Sequence, residues 1–263
     1  MDAVVMAGGV PELDDPLYAV THGQPKAMLD ICGKPMIQWV LDALNGSKLV
    51  DKVIVSGLDA SSGLKYSGDL SFIPNQGEML LNIRAGAEKI LEMNPTSKHV
   101  LLCSSDVPTL ETPAVDWVIE NAMRTDEDVY YNVITRQVME ARFPGSNRSY
   151  IRLKDMEVCG GDVNIARTSK VVSERGIWDR LVASRKNALK QAALLGFDTL
   201  ILLMLHAITL EGAIQKVTRR LNITGRALEC PYAEVGMDVD KPHQLEIVRA
   251  DIQRRLNVKE GIT

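Results

Sequence analysis

Between residues 2 and 122 short apolar runs alternate with amphipathic segments, and that alternation constrains the fold more than any other feature. The run Asp2-Ala3-Val4-Val5-Met6-Ala7 ends at Gly8-Gly9, as a buried strand feeding a glycine loop would. A long polar loop follows to Lys34. The next segment places Met36, Ile37, Val40, Leu41 and Leu44 on one helical face, with Pro35 suited to the first turn. Val53 to Gly57 reads as a second strand and Leu70 to Pro74 as a short third. From Glu78 to Met93 the spacing of Met79, Ile83, Ala87 and Ile90 predicts another amphipathic helix. His99 to Asp106 is a buried strand that stops on a carboxylate. Thr112-Pro113 then opens a helix as an N-cap and first-turn pair. Strand, crossover helix and strand in repetition predict an α/β fold with a largely parallel, doubly wound sheet. Such sheets bind ligands outside the carboxyl ends of their strands. Gly8-Gly9, the turn from Pro74 to Gly77, and Asp106 all fall at those ends.

The second half is less regular. Val129 to Thr135 and Ser149 to Leu153 read as strands, followed by a strand or turn around Gly160 to Ala166. Ser169 to Asn222 is mostly helical, Arg226 to Cys230 returns to the sheet, and a last helix begins near Pro242 carrying Leu245, Val248, Ile252 and Leu256. With 263 residues and no repeat or linker, the expectation is a single domain over 1–263 with a helical insertion at about 169–222. Leu194 to Ile208 is apolar but shorter than the roughly 20 residues that span a bilayer. It also contains Asp198 and His206, so a core helix is expected and no transmembrane segment. The N-terminus opens directly into a strand without a signal-peptide start, which predicts a cytoplasmic protein. Cys32, Cys103, Cys159 and Cys230 are widely spaced and form no zinc pattern. Lys plus Arg is 30 against 34 Asp plus Glu, a net charge of -4, which argues against a nucleic-acid partner.

Three common motifs are excluded. Val10-Pro11-Glu12 after Gly8-Gly9 breaks a dinucleotide-binding GxGxxG, and neither a GxxxxGK[ST] phosphate loop nor a GxSxG nucleophile elbow occurs. What the chain has instead is a combination: Ala7-Gly8-Gly9, then Pro25-Lys26-Ala27-Met28-Leu29, then Gly33-Lys34-Pro35-Met36 leading into the first helix. Ser104-Ser105-Asp106-Val107-Pro108 and Met237-Asp238-Val239-Asp240-Lys241-Pro242 complete it. This combination resembles the nucleotidyltransferase family, which includes sugar-1-phosphate nucleotidylyltransferases and molybdenum cofactor guanylyl- and cytidylyltransferases. The resemblance is good over about residues 1–125 and adequate over 226–250.

The resemblance implies a glycosyltransferase-A-like fold: a Rossmann-type, mostly parallel sheet with helices on both faces and one nucleotide pocket. It implies transfer of NMP from an NTP to a small phosphorylated acceptor, with release of pyrophosphate and with Mg2+ as cofactor. Lys26 would be the phosphate lysine, Asp106 the first metal ligand and Asp240 the second, with Asp238 competing for that place. Lys26 and Asp106 are thus the catalytic pair, and Ala7, Gly8, Gly9, Lys26, Gln76, Gly77 and Ser105 the nucleotide-binding set. The chemistry of these residue types agrees. Glycine lets backbone approach a phosphate or base, lysine offers a compact charge, and magnesium takes one or two carboxylates plus phosphates and water. An acceptor oxygen serves as nucleophile, so no catalytic Ser or Cys is needed.

Gln76 can pair with an edge of guanine, cytosine or uracil, and GTP or CTP is slightly favoured. Asp162 and Asn164, in Gly160-Gly161-Asp162-Val163-Asn164, read either as contacts to acceptor or metal or as a turn pair. The region 169–222 matches the family poorly, which makes it the natural place for acceptor specificity. There Lys186 and Arg185, with Arg148 and Arg152 from the preceding strand region, form an expected anionic-acceptor site beside a plain solvated-face reading. A homo-oligomer is compatible with the sequence. One departure stands out. The family's GxGxR carries an arginine for the leaving phosphates, whereas Val10-Pro11-Glu12-Leu13-Asp14-Asp15 has none and adds acids. Arg84, His22 and Lys34 are candidate replacements. Two other readings follow: a nucleotide-binding sensor or scaffold without turnover, and a nucleotide-sugar-dependent glycosyltransferase.

Overall fold

The computed structural model describes residues 1–173, 197–259 and 261. After β1 (Asp2–Met6) come a one-turn helix α1 (Tyr18–Thr21), a 3-10 turn over Lys26–Met28, and a hairpin of β2 (Asp30–Ile31) and β3 (Lys34–Pro35). The expected polar loop is therefore built. Asp15 Oδ1 accepts from Leu17 N at 2.8 Å to start α1, and the Leu17 and Ile31 side chains are buried. There follow α2 (Met36–Gly46), β4 (Val53–Ser56), β5 (Leu70–Ile73), α3 (Met79–Met93), β6 (His99–Ser104) and α4 (Thr112–Ala122). The second half contains β7 (Val129–Thr135), α5 (Arg136–Arg142), β8 (Ile151–Arg152), β9 (Glu157–Gly160), β10 (Val163–Arg167) and α6 (Thr168–Ser173). It ends with α7 (Phe197–Met204), α8 (Leu210–Leu221), β11 (Gly225–Glu229) and α9 (Pro242–Lys259).

The sheet runs β5-β4-β1-β6-β10-β7-β9-β8, with β11 beside β7. From β5 to β6 every pairing is parallel, as the alternating sequence predicts. Beyond β6 antiparallel strands enter: β10 pairs antiparallel with both β6 and β7. The strand-or-turn at 160–166 resolves into β9, a two-residue connection and β10. Strand alternation sends Ala3, Val5, Val53, Val55, Leu101 and Cys103 to one buried layer with α2, α4 and α9. Val4, Ile54, Val100 and Leu102 go to the other, under α3 and Val171 of α6. Strands covered on both faces read as continuous apolar runs, and these do.

Some local expectations shift. Met36, Ile37, Val40, Leu41 and Leu44 are all buried as predicted, but Pro35 is the residue before the helix rather than in its first turn. Met79 is 55% exposed, whereas Leu80, Ile83, Ala87 and Ile90 of α3 pack on the sheet. Thr112 does not cap α4. Glu111 holds that position, and the Thr112 hydroxyl donates to Ala43 O of α2 at 2.8 Å. The strand expected over Ser149 to Leu153 is confined to Ile151–Arg152. The expected core helix at 194–208 is described from Phe197 onward, and there it is only partly buried. Leu202, Leu203 and Ile208 pack with Val133, Leu153 and Val158, while Ile201, Met204 and Leu205 are exposed. Asp198 of α7 pairs with Lys216 and Arg220 of α8, and only one face of α7 packs on this small cluster. Among the described residues no helix is long and apolar enough to cross a membrane. Of the expected helical insertion, residues 174–196 lie outside the described residues.

Candidate functional site

The sheet register gathers the candidate residues at the carboxyl ends of β1, β4 and β6. Ala7 N donates to Ser56 O at 2.7 Å and Ser105 N to Met6 O at 3.1 Å, so the three strand exits are tied side by side. Gly8 and Gly9 have different reasons to be glycine. A Cβ on Gly8 would stand 2.5 Å from Asn75 Oδ1, whereas a Cβ on Gly9 would meet nothing within 4 Å. Gly8 is thus needed for packing, and Gly9 leaves an open face. Lys26 N donates to Gly9 O at 2.9 Å, rooting the lysine at that open face.

Lys26 Nζ lies 2.7 Å from Asp106 Oδ2 and 2.6 Å from Asp240 Oδ1. Three distant segments meet here for a backbone reason: Val239 N donates to Asp106 O at 3.0 Å, laying the Asp238–Asp240 segment against the end of β6. Gln244 Oε1 accepts from Asp240 N at 2.9 Å and fixes the approach to α9. Side-chain exposures of 15% for Lys26, 17% for Asp106 and 55% for Asp240 make this a half-open pocket with Asp240 at the mouth. Burial pulls the Lys26 amine down, but Asp106 and Asp240 outweigh it and the net direction is up, so the lysine stays charged.

A second charged group adjoins the first. Arg148 pairs with Asp238 and lies 4.0 Å from Asp162. The Asp162 backbone is locked between Val235 O and Ser104 N, each at 2.8–2.9 Å. Burial, then the neighbouring Asp106 charge, pushes the Asp162 carboxyl up to about 7, with Arg148 opposing. Burial, followed by Asp162 and Asp106, also raises the Cys103 thiol, which is no nucleophile. Asp106 Oδ1 and Asp162 Oδ2 are among the carboxylate oxygens buried without a hydrogen-bond partner.

The turn after β5 is held by two asparagines the sequence reading overlooked. Asn82 Oδ1 accepts from Ser56 Oγ and from Gln76 N, both at 2.8 Å. Its Nδ2 donates to Asn75 Oδ1 at 3.0 Å. Asn75 Oδ1 also accepts from Gly77 N at 3.0 Å, and Asn75 Nδ2 donates to Gly8 O at 2.8 Å. The signal was there: Asn82 is a polar residue on the buried stripe of α3. Gln76 is exposed, with its Nε2 donating to Pro74 O at 2.7 Å.

Other expected residues separate. The Asn164 amide, within β10, is spent on backbone, accepting from Asn132 N and donating to Gly161 O at 2.8 Å each. Among the candidate replacements for the absent loop arginine, Arg84 pairs with Glu88, and Lys34 pairs with Asp42 while lying over Trp39. His22 is an exposed residue closing α1. Arg152 is exposed and faces Glu157 at 3.8 Å. Arg148, by contrast, is set against Asp238 and near Asp162 in the group adjoining Lys26. Lys186 and Arg185 lie outside the described residues.

Residues 3–203 match the family described as the MobA-like NTP transferase domain. Among solved structures, a hypothetical transferase from Thermus thermophilus is similar at 32% identity and a TM-score of 0.78, covering 93% of this chain and 98% of its own. A CMP:2-keto-3-deoxy-manno-octonic acid synthetase complexed with CTP shares the fold at 18% identity and a TM-score of 0.61, covering 96% and 98%. Molybdopterin-guanine dinucleotide biosynthesis protein A from Archaeoglobus fulgidus does so at 11% and 0.52, covering 97% and 100%. No curated protein matches the chain significantly.

Proposed function

The chain belongs to the MobA-like NTP transferase domain family and is a nucleotidyltransferase, and on that premise we propose that it joins NMP to a small phosphorylated acceptor. The observation that carries the reading is Lys26, set between Asp106 and Asp240 at the strand ends and rooted at the open face of Gly9. In the reaction an anionic acceptor oxygen attacks the α-phosphorus, a P–O bond forms, and the bond to the β-phosphate breaks with pyrophosphate leaving. Gly9 admits the phosphates to the backbone and Lys26 offsets their charge. Arg148 faces the acceptor side and orients an anionic group there, in the role that charge-assisted contacts perform best. Gln76, on a turn whose backbone is fixed by Asn75 and Asn82, contacts the base, with GTP or CTP favoured. Asn164 acts by shaping the Gly161-Asp162 connection.

The donor set fits magnesium. Asp106 and Asp240 are hard oxygen donors, Asp106 Oδ1 is buried with no partner, and two carboxylates plus substrate phosphates are what this ion uses. Among the described residues no group of three or more His, Cys, Asp or Glu is arranged to hold a metal, and substrate phosphate oxygens would have to supply further ligands. When bound, the ion supplies charge neutralisation at the transferring phosphoryl group.

The arginine-free loop favours a second reading, a nucleotide binder without turnover. One experiment separates the two. The protein is incubated with each NTP, magnesium, pyrophosphatase and pooled phosphorylated metabolites, and phosphate release and new NMP conjugates are followed. Consumption of one NTP with a matching conjugate is expected. Tight NTP binding with no consumption in any pool supports the sensor reading instead.

A further inference from the structure

The Lys26 ammonium occupies the space between the two carboxylates that the proposed function assigns to the metal, and this has a consequence for the order of events. Its contacts at 2.7 and 2.6 Å are charge-assisted distances, and each carboxylate gives it a single oxygen. Asp106 Oδ1 keeps no hydrogen-bond partner, but a divalent ion held by Asp106 and Asp240 would set its charge directly beside the Lys26 ammonium, and like charges at such short range repel. The side chain must move.

The surroundings show where it goes. The Lys26 backbone is pinned by its N–H to Gly9 O, while its four-carbon stem is unbranched and flexible. Gly9 is exposed and has no neighbour within 4 Å of its missing Cβ. A triphosphate seated on that open glycine presents anionic oxygens next to the root of the lysine. We propose that Lys26 is a built-in counter-ion that closes the cation position at Asp106 and Asp240, and that triphosphate binding draws it off and opens the position. Metal binding is therefore gated by nucleotide. Asp238, next to this position, carries its own counter-ion in Arg148.

The inference rests on the proposed metal role of Asp106 and Asp240, and the test separates the two. Mn2+ binding is measured by the loss of free-ion EPR signal for the wild-type protein, Lys26→Met, Asp106→Asn and the double variant, all without nucleotide. Lys26→Met is expected to bind Mn2+ at least tenfold more tightly than wild type, and the double variant to lose the gain. If wild type binds Mn2+ in an Asp106-dependent way and Lys26→Met binds it no more tightly, the gate is refuted and the metal site stands. If no protein binds Mn2+ at Asp106, with or without a non-hydrolysable NTP analogue, the metal assignment fails and the gate with it. Thermal melts check that Lys26→Met is folded. A second measurement uses the unsubstituted protein: 15N-lysine spectra should show the Lys26 ammonium unmoved by Mg2+ alone and shifted by Mg2+ with the nucleotide analogue. A shift with Mg2+ alone refutes the gate.

Discussion

Replacing Gly8 and Gly9 singly by alanine asks whether two adjacent glycines serve different ends. In Gly8→Ala the new methyl would lie 2.5 Å from Asn75 Oδ1 and 2.7 Å from its Cγ, so the Asn75 side chain has to leave. Three hydrogen bonds go with it: to Gly8 O at 2.8 Å, from Gly77 N at 3.0 Å and from Asn82 Nδ2 at 3.0 Å. At about 0.5–1.5 kcal/mol each, with water replacing some of them at this partly exposed turn, the expected loss is about 2–4 kcal/mol. Gly9→Ala meets nothing, and its cost to stability should stay within about 0.5 kcal/mol, as for an ordinary surface change. Urea unfolding reads both through the midpoint at constant m. Nucleotide titration should show the complement: Gly9→Ala weakens NTP binding although the fold is intact. A double-mutant cycle locates the cause, because Gly8→Ala made in an Asn75→Ala background should cost less than about 1 kcal/mol. The reasoning is refuted if Gly8→Ala leaves the midpoint unchanged, or if its cost is undiminished without the Asn75 side chain.

Asp106→Asn keeps the shape of the side chain and loses its charge, so turnover should vanish while the protein still melts cooperatively. Unchanged turnover would end the assignment of Asp106 to the metal. Gln76→Ala should weaken the preferred NTP and narrow its margin over the others, and an untouched ranking of the four NTPs would make Gln76 structural. Asp162 carries a pH signature. Its carboxyl is pushed from roughly 3.9, the value of an unfolded chain, to about 7 in the fold. Folding therefore favours the neutral form, and the stability this contributes is complete below about pH 4 and is lost as pH rises through 7. Asp162→Asn should raise the Tm relative to wild type at pH 8 and not at pH 4, and an equal difference at both pH values would contradict the raised carboxyl.

Local pattern was enough for the parallel half of the sheet and for the strand ends where chemistry gathers. A continuous apolar run such as Ala3-Val4-Val5 can be buried on both faces only in a sheet covered by helices, and the crossover segments supply them. The residues Gly9, Lys26, Asp106 and Asp240 were legible because their motifs are contiguous and each stands at a predicted break. What tertiary structure decided is which of them touch. Lys26 and Asp240 are 214 positions apart, and their contact depends on the Val239 N–H reaching Asp106 O, a long-range bond no local pattern encodes. The same is true of Arg148. In sequence it is one cation among many, and in the fold it is the one set against Asp238 and Asp162, while Arg84 and Lys34 are claimed by acids close to them in the chain. The two adjacent glycines make the point at the smallest scale. Sequence marks both as turn residues, but only the arrival of Asn75 from the end of another strand makes one of them a packing requirement and leaves the other open to a ligand. Periodicity reports what a segment buries, whereas a site is made of side chains brought from separate segments, and their distances are set by backbone pairing across the sheet.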